Sequence, residues 1–586
     1  MTSMSRRELI AAITAAGAAA ALGLPERATA STGGATVGAG PSARAAKAAA
    51  RRAARTAPHG SDLGAVEHVI YLMLENRSYD HYFGAYPRGR GFDDHPKHSL
   101  GAFAQDYPAG TDLSPKGKLL PFHLTAGADG DCTHDLTHNW GPQHLCWNDG
   151  KMDSYVRTHT SKQWEGVPDG AMTMGYYTRR EIPLYWALAD EFTLCDAYHA
   201  SILGPTHPNR LMANTGTIDP AGTHGGPVTD TNPDPAVLWT CTWPTVQEVL
   251  EDAGISWKVY HPSFVGATGK YASLVQYPIW DPVLYDPTVN PVVMLATDTV
   301  LPYFKAFENP LSMLHQKAFN PTFPADFMAD VAKDQLPSVS WLMAPLGFDD
   351  HPSANPERGQ WFVQQIIDIL ASNPTVWSKT VLFLMYDEND GWFDHVAPPT
   401  APEGTAGEWL TAPKISSQTL GIRGPLGLGV RLPCLVISPF SRGGHIATEV
   451  FDHTSQLQFL HQRFGIEVPN VSKWRRNTVG DLTSTLFRTP HDATLPRLPQ
   501  IALTPFELTG GCSEVGEESE LGGVGPTLAT KQRMPTQRGV TVPASRFFAA
   551  SHTTTDRVPL RSGRRTATTK SAYNHLSHAG TPADRH

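Results

Sequence analysis

Four apolar runs punctuate the chain, at residues 68–74, 338–343, 380–386 and 432–437, each closed by a polar cluster. They are rich in β-branched and aromatic side chains and scarcely alternate with polar ones, which is the pattern of strands buried on both faces. Between two of them, Phe362, Val363, Ile366, Ile367 and Leu370 recur at helical spacing. Residues 246–252 followed by 255–260 predict a helix, a glycine turn and a strand. Strands alternating with helices predict an α/β fold with a mainly parallel, doubly wound sheet. The stretch 90–330, rich in Pro, Trp, Tyr and Gly, reads as long loop insertions on one face.

In such sheets ligands gather at the carboxyl ends of the strands. The residues placed there are Glu75-Asn76, Asp349-Asp350-His351-Pro352, Asp387-Glu388-Asn389-Asp390 and Ser438-Pro439. Glu75, Asn76, Asp387 and Glu388 would bring four oxygen ligands to one edge. Carboxylates so crowded repel one another, and a hard divalent cation relieves this. Taken singly, each tetrapeptide also fits a capped turn or a solvated loop. Gly204-Pro205-Thr206-His207-Pro208-Asn209-Arg210 reads as a tight turn that presents the Thr206 hydroxyl, with Asn209 available to hold an anion. His134, His138, His144, His351, His395 and His453 supply candidate acids, bases or further ligands.

Charge changes the picture at the ends. The net charge is −9, yet residues 1–60 hold 8 basic and 2 acidic residues and residues 530–586 hold 10 and 2, leaving −23 on the middle. That balance argues against a nucleic-acid partner. Arg6-Arg7, the small-residue apolar stretch 11–24 and Ala28-Thr29-Ala30 predict a twin-arginine signal peptide over 1–30, hence an exported protein that is secreted, periplasmic or cell-wall-associated. Residues 31–61 read as a flexible linker, 62–509 as one large α/β domain and 510–586 as a low-complexity, disordered basic tail, either touching an anionic envelope or solvated with no partner. Six cysteines permit disulfides in an exported chain, Cys132 and Cys146 lying nearest in sequence, whereas Cys195 and Cys434 sit in apolar runs and read as buried thiols.

Several motifs together resemble one family. Glu75-Asn76-Arg77-Ser78-Tyr79-Asp80-His81-Tyr82-Phe83-Gly84, His138-Asn139-Trp140, Gly150-Lys151-Met152-Asp153, the Thr206 segment and Asp350-His351-Pro352 are similar to signatures of bacterial phosphoesterases. Tyr386-Asp387-Glu388-Asn389-Asp390-Gly391-Trp392-Phe393-Asp394-His395-Val396 and Phe451-Asp452-His453-Thr454-Ser455 continue the series in order. That family includes non-haemolytic-type phospholipases C and related secreted acid phosphatases. The resemblance implies an alkaline-phosphatase-like α/β/α sandwich with Glu75, Asn76, Asp387 and Glu388 as ligands of a divalent metal ion (Ca, Mg, Mn or Zn). It also implies Thr206 as nucleophile, Asn209 as a phosphoryl-oxygen holder and His138 and His351 as active-site histidines. Asp394, His395 and His453 are further candidates. His207 and Asp390 depart from the family pattern. The implied activity is a phospholipase C that cleaves the glycerol-side phosphodiester of phosphatidylcholine-like lipids to diacylglycerol and a phosphorylated head group. The alternatives are an acid phosphatase on the same scaffold and a non-catalytic envelope protein that binds head groups. The substrate partner is a phospholipid; peripheral membrane contact is compatible with this, and oligomeric state is not legible.

Overall fold

A computed structural model gives the fold, and it describes residues 63–107, 117–125, 133, 135–160, 170–231, 238–265, 271–273, 299–345, 348–352, 354–486, 493–503 and 532–537. The expected signal peptide and linker, His134, Cys132 and most of the tail lie outside these residues. Nine strands form the main sheet: β1 His68–Leu74, β2 Thr193–Cys195, β3 Trp257–Val265, β4 Tyr271–Ser273, β5 Thr322–Phe323, β6 Val339–Leu342, β7 Thr380–Tyr386, β8 Cys434–Ile437 and β9 Ile446–Ala447. Their order is β9-β2-β8-β7-β1-β6-β3-β4, with β5 also on β3. Five of the eight pairings are parallel, so the mainly parallel α/β sheet stands as expected.

The centre of the sheet is β1 between β6 and β7, and every residue of β7 is buried. Because alternate strand residues face opposite sides, full burial requires cover on both faces. On one face Tyr71 stacks on Phe383 and meets Trp341. Phe383 in turn meets Phe459 of a helix at Thr454–Phe464, which lies against the helix Thr206–Thr215. Elsewhere the helix Pro183–Glu191 lies against Pro356–Ser372, where Gln360 Oε1 accepts from Leu184 N at 3.0 Å. We label these helices, with two that precede them, α1 Tyr79–Phe83, α2 Trp140–Trp147, α3 Pro183–Glu191, α4 Thr206–Thr215, α5 Pro356–Ser372 and α6 Thr454–Phe464.

Three expectations change. First, β8 runs antiparallel to β7, so Ser438 ends at the opposite edge, where its hydroxyl donates to Thr380 O at the start of β7 (2.8 Å). Second, the 90–330 stretch is more than decoration, since it supplies β2, β3 and α4 to the sandwich. Third, part of the tail is bound to the body. Gln537 is buried, its amide donates to Tyr86 O (2.8 Å) and Gly89 O (3.1 Å), and its Oε1 accepts from Asp93 N (3.1 Å). Gln532 Oε1 accepts from Leu120 N, and Met534 packs on the core. Cys146 is a buried free thiol, as are Cys195, Cys241 and Cys434; Cys195 and Cys434 face each other across β2 and β8.

Candidate active site

Parallel register fixes the first part of the site. Leu74 pairs with Tyr386, so Glu75 and Asp387 leave adjacent strands at the same edge. Asp387 N donates to Leu74 O, and Glu75 N donates to Asp349 O at 2.7 Å, which brings the Asp349-Asp350-His351 turn to that edge too. All three groups of strand-end residues therefore converge, as the carboxyl-edge rule requires.

The fourth component is Thr206. It does not sit in a bare turn: it opens α4, with Pro205 as N-cap and Gly216 closing the helix in the left-handed region (φ 78°). Proline is tolerated in the first helical turn because those N–H groups lack intrahelical partners anyway. One turn on, and on the same helix face, Arg210 donates through Nε to Asp387 Oδ2 (2.9 Å) and through Nη2 to Glu75 Oε1 (3.2 Å). The guanidinium thus ties α4 to the ends of β1 and β7. The Thr206 hydroxyl is fully buried and has no hydrogen-bond partner among the described residues.

Asn209 is placed differently from its expected role. Its Oδ1 accepts from Ile202 N (2.9 Å), and its amide donates to Gly204 O (2.9 Å) and Pro205 O (3.0 Å). The side chain is spent on shaping the segment that presents Thr206.

His138 lies between carboxylates, with Nδ1 2.7 Å from Asp390 Oδ1 and 3.6 Å from Asp135 Oδ1, and Nε2 3.7 Å from Glu388 Oε1. Burial opposes its charged form, but Glu388, Asp390 and Asp135 together outweigh this and raise its pKa well above the usual value. Burial likewise holds the Glu388 carboxyl well above its ordinary range, His138 opposing, and pushes Asp390 up to about 7. His351 is buried, with its backbone N–H donating to Asp349 Oδ1 at 3.2 Å. The turn before it is anchored by Asp350, a left-handed residue (φ 71°) whose Oδ2 accepts from Tyr185 (2.6 Å) and Tyr386 (2.5 Å).

The remaining candidates lie behind or beside this edge. His453 is buried, with Nε2 2.6 Å from Asp387 O and Nδ1 3.1 Å from the Tyr198 hydroxyl, so it braces the Asp387 backbone. Burial lowers its pKa to about 4. Asp394 and His395 belong to a separate ion-pair cluster: Arg431 holds Asp394 (2.9 Å) and Asp80 (3.0 Å), while His395 Nδ1 is 2.6 Å from Asp80. His144 is bound through both ring nitrogens to Trp140 O and Pro425 O.

A divalent cation can be tested against these residues. Asn76 is fully buried, and neither its Oδ1 nor its Nδ2 has a partner among the described residues; the same holds for hydrogen bonds to Glu388 Oε1. Orphaned buried polar atoms are costly, and an oxygen-rich donor set beside two more carboxylates suits a hard cation. Two clusters of ligand atoms close enough to share one ion lie at Asp135, His138 and Asp390 and at Asp80, Asp394 and His395, the second already paired with Arg431. By donor chemistry Glu75, Asn76, Asp387 and Glu388 suit a hard cation. The sequence reading missed Arg210, Asp135 and the Asp350 anchor. Arg210 was visible only as a position four residues after Thr206, which means nothing until the segment is a helix.

An α/β sheet whose carboxyl edge gathers a buried hydroxyl, paired carboxylates and histidines defines an enzyme with a metal-capable hydrolytic site. Residues 66–467 match the model of the Phosphoesterase family, and the chain belongs to that family as a phosphoric ester hydrolase. It is 41% identical over 510 residues to phospholipase C A of Mycobacterium tuberculosis, covering 84% of this chain and 88% of that protein. It is 38% identical over 465 residues to the non-hemolytic phospholipase C of Pseudomonas aeruginosa, covering 75% and 60%. A solved protein in the alkaline phosphatase superfamily from Vibrio parahaemolyticus is similar at 9% identity and a TM-score of 0.25, over 65% of this chain and 76% of that one, too slight a likeness to add to the observed sheet.

Proposed function

We propose that this protein is an exported phospholipase C that cleaves the glycerol-side phosphodiester of phosphatidylcholine-like lipids through a covalent intermediate on Thr206. The observation that carries this reading is the buried Thr206 hydroxyl at the start of α4, without a hydrogen-bond partner among the described residues, on a helix tethered by Arg210 to the carboxylates that end β1 and β7. The relatives named as phospholipases C support the substrate class.

Glu75, Asn76, Asp387 and Glu388 would hold the divalent cation, which when bound polarises a phosphoryl oxygen and lowers the pKa of a nearby hydroxyl. Thr206 Oγ1 attacks phosphorus in line, the bond to the glycerol oxygen breaks, and the head-group phosphoryl remains on Thr206. A histidine, His351 or His138, delivers a proton to the departing glycerol oxygen and takes up the one Thr206 gives up; it then takes a proton from the water that releases the phosphorylated head group and returns one to Thr206 Oγ1. The start of α4, with its backbone N–H groups and dipole, favours the negative charge gathered at Thr206. Asn209 keeps the preceding loop in the conformation that presents the hydroxyl.

Export by the twin-arginine route, argued from Arg6-Arg7 and the apolar stretch behind them, is part of this proposal. Among the described residues no helix is long and apolar enough to cross a membrane. The reading is tested by comparing p-nitrophenyl phosphorylcholine with p-nitrophenyl phosphate on the purified protein, with and without a chelator. We expect faster turnover of the diester and loss of activity on chelation. Preference for the monoester would favour the phosphatase, and no turnover of either would favour a head-group-binding protein.

A further inference from the structure

Large apolar side chains exposed among the described residues are Leu145, Leu311, Met313 and Leu420. Two of them meet on one surface. Leu420 packs directly over Gly141 of α2, since a Cβ on Gly141 would overlap the Leu420 side chain. Leu145 lies one helical turn beyond Gly141, on the same face of α2. Leu145 is 40% exposed and Leu420 41%, and Trp147, Ile415 and Ile422 on the same two segments are half-buried against the core.

The loop that carries Leu420 is fixed across α2 rather than free. Trp140 Nε1 donates to Ile422 O (3.1 Å), His144 Nε2 lies 3.0 Å from Pro425 O, and Arg423 bonds Ala412 O and Pro413 O. Leu420 itself adopts a left-handed backbone (φ 53°), a conformation bulky residues avoid unless the surroundings impose it. The same surface carries exposed Lys414 and Arg423 at its rim. Its inner side is the candidate active site: His138 precedes α2 directly, and Gln143 donates to Asn389 Oδ1 (2.9 Å) and to Asp390 O.

We infer that α2 and the 412–425 loop form a docking surface for an anionic phospholipid bilayer, seated beside the active site. Three observations select this occupant. The 412–425 loop that carries Leu420 bears exposed Lys414 and Arg423 and no acidic residue, on a body that is otherwise strongly acidic, a local sign that complements anionic head groups. α2 joins the patch to the candidate site through Gln143, so a bilayer held there lies on the outer side of an element that borders the site. Among the described residues, Leu311 and Met313 have no hydrogen bond to the Asp387–Asp390 loop. The inference rests on the lipid-hydrolase reading for its biological sense, but vesicle binding reads the surface with no turnover at all.

The test uses the full protein and vesicles of phosphatidylcholine containing phosphatidylglycerol. Co-sedimentation measures binding, release of phosphorylated head group measures interfacial hydrolysis, and p-nitrophenyl phosphorylcholine measures turnover in solution. Leu145→Ser with Leu420→Ser should weaken vesicle binding and vesicle hydrolysis by roughly tenfold or more, with turnover of the soluble diester within about twofold. Lys414→Glu with Arg423→Glu, which leaves the apolar tip in place, should weaken binding most at low salt. Leu311→Ser with Met313→Ser should leave binding unchanged. Wild-type protein that stays in the supernatant, or Leu145/Leu420 and Lys414/Arg423 variants that bind vesicles like wild type, would overturn the docking surface. Vesicle binding lost in those variants, without any soluble turnover in the wild type, would keep the surface and sink the hydrolase reading instead.

Discussion

Arg210 and Asp350 show how single side chains hold this edge together. Arg210 is 5% exposed and pairs with both Glu75 and Asp387. Removing one member of a buried ion pair leaves uncompensated charge, at a cost of about 3–5 kcal/mol. Arg210→Gln should therefore lower unfolding stability by about that much in chelator, measured by urea denaturation, and added divalent cation should recover part of it. Asp350 gives a pH signature. Burial pushes its carboxyl up to about 6, with Tyr185, Tyr386 and Arg77 opposing. In the folded state it therefore holds a proton that the unfolded chain has already lost, and its contribution to stability falls as pH rises from about 4 to about 6. Asp350→Asn should remove that fall, making the difference in stability between variant and wild type rise with pH across this window. A difference that stays flat would contradict the assignment. Neither residue was singled out by type alone, because an arginine four residues after a threonine and an aspartate beside a histidine acquire roles only through the tertiary contacts that bury them.

At the level of elements, the strands and their ends were legible and their directions were not all so. β1 and β7 coincide with the apolar runs, because uninterrupted β-branched and aromatic residues are what a strand buried on both faces needs. The reversal of β8 had a readable signal: residues 387–433 contain no helix-length apolar period, and parallel neighbours need a long crossover, usually helical. Thr206 was read in a turn because Pro205 and Pro208 flank it, whereas both prolines fit a helix start. Packing between α5 and the His351 turn is closer than any sequence pattern conveys. A Cβ at Gly359 would overlap Asp350 Oδ1. Gly359→Ala should cost about 1–3 kcal/mol and should slow hydrolysis by displacing the turn. An unchanged melting temperature and rate would show that the turn is not clamped there.

Across the whole molecule, the charge asymmetry is a poor guide to order. A basic, low-complexity composition gave no hint that Gln537 would be buried against Tyr86, Gly89 and Asp93, since a few side-chain hydrogen bonds leave no periodic trace. A chain ending at residue 531 should melt at lower temperature than one ending at Gln537, by an amount corresponding to about 1–3 kcal/mol, and equal melting would mean that residues 532–537 contribute nothing. The proposed function turns on Thr206 as the group that takes the phosphoryl. The most direct test is therefore to quench the enzyme with acid during turnover of p-nitrophenyl phosphorylcholine and map the adduct by peptide mass spectrometry. The account predicts a phosphorylcholine group on Thr206, absent from Thr206→Ala, which folds but does not turn over. An adduct on another residue, or a Thr206→Ala protein that hydrolyses the diester at the wild-type rate, would contradict it.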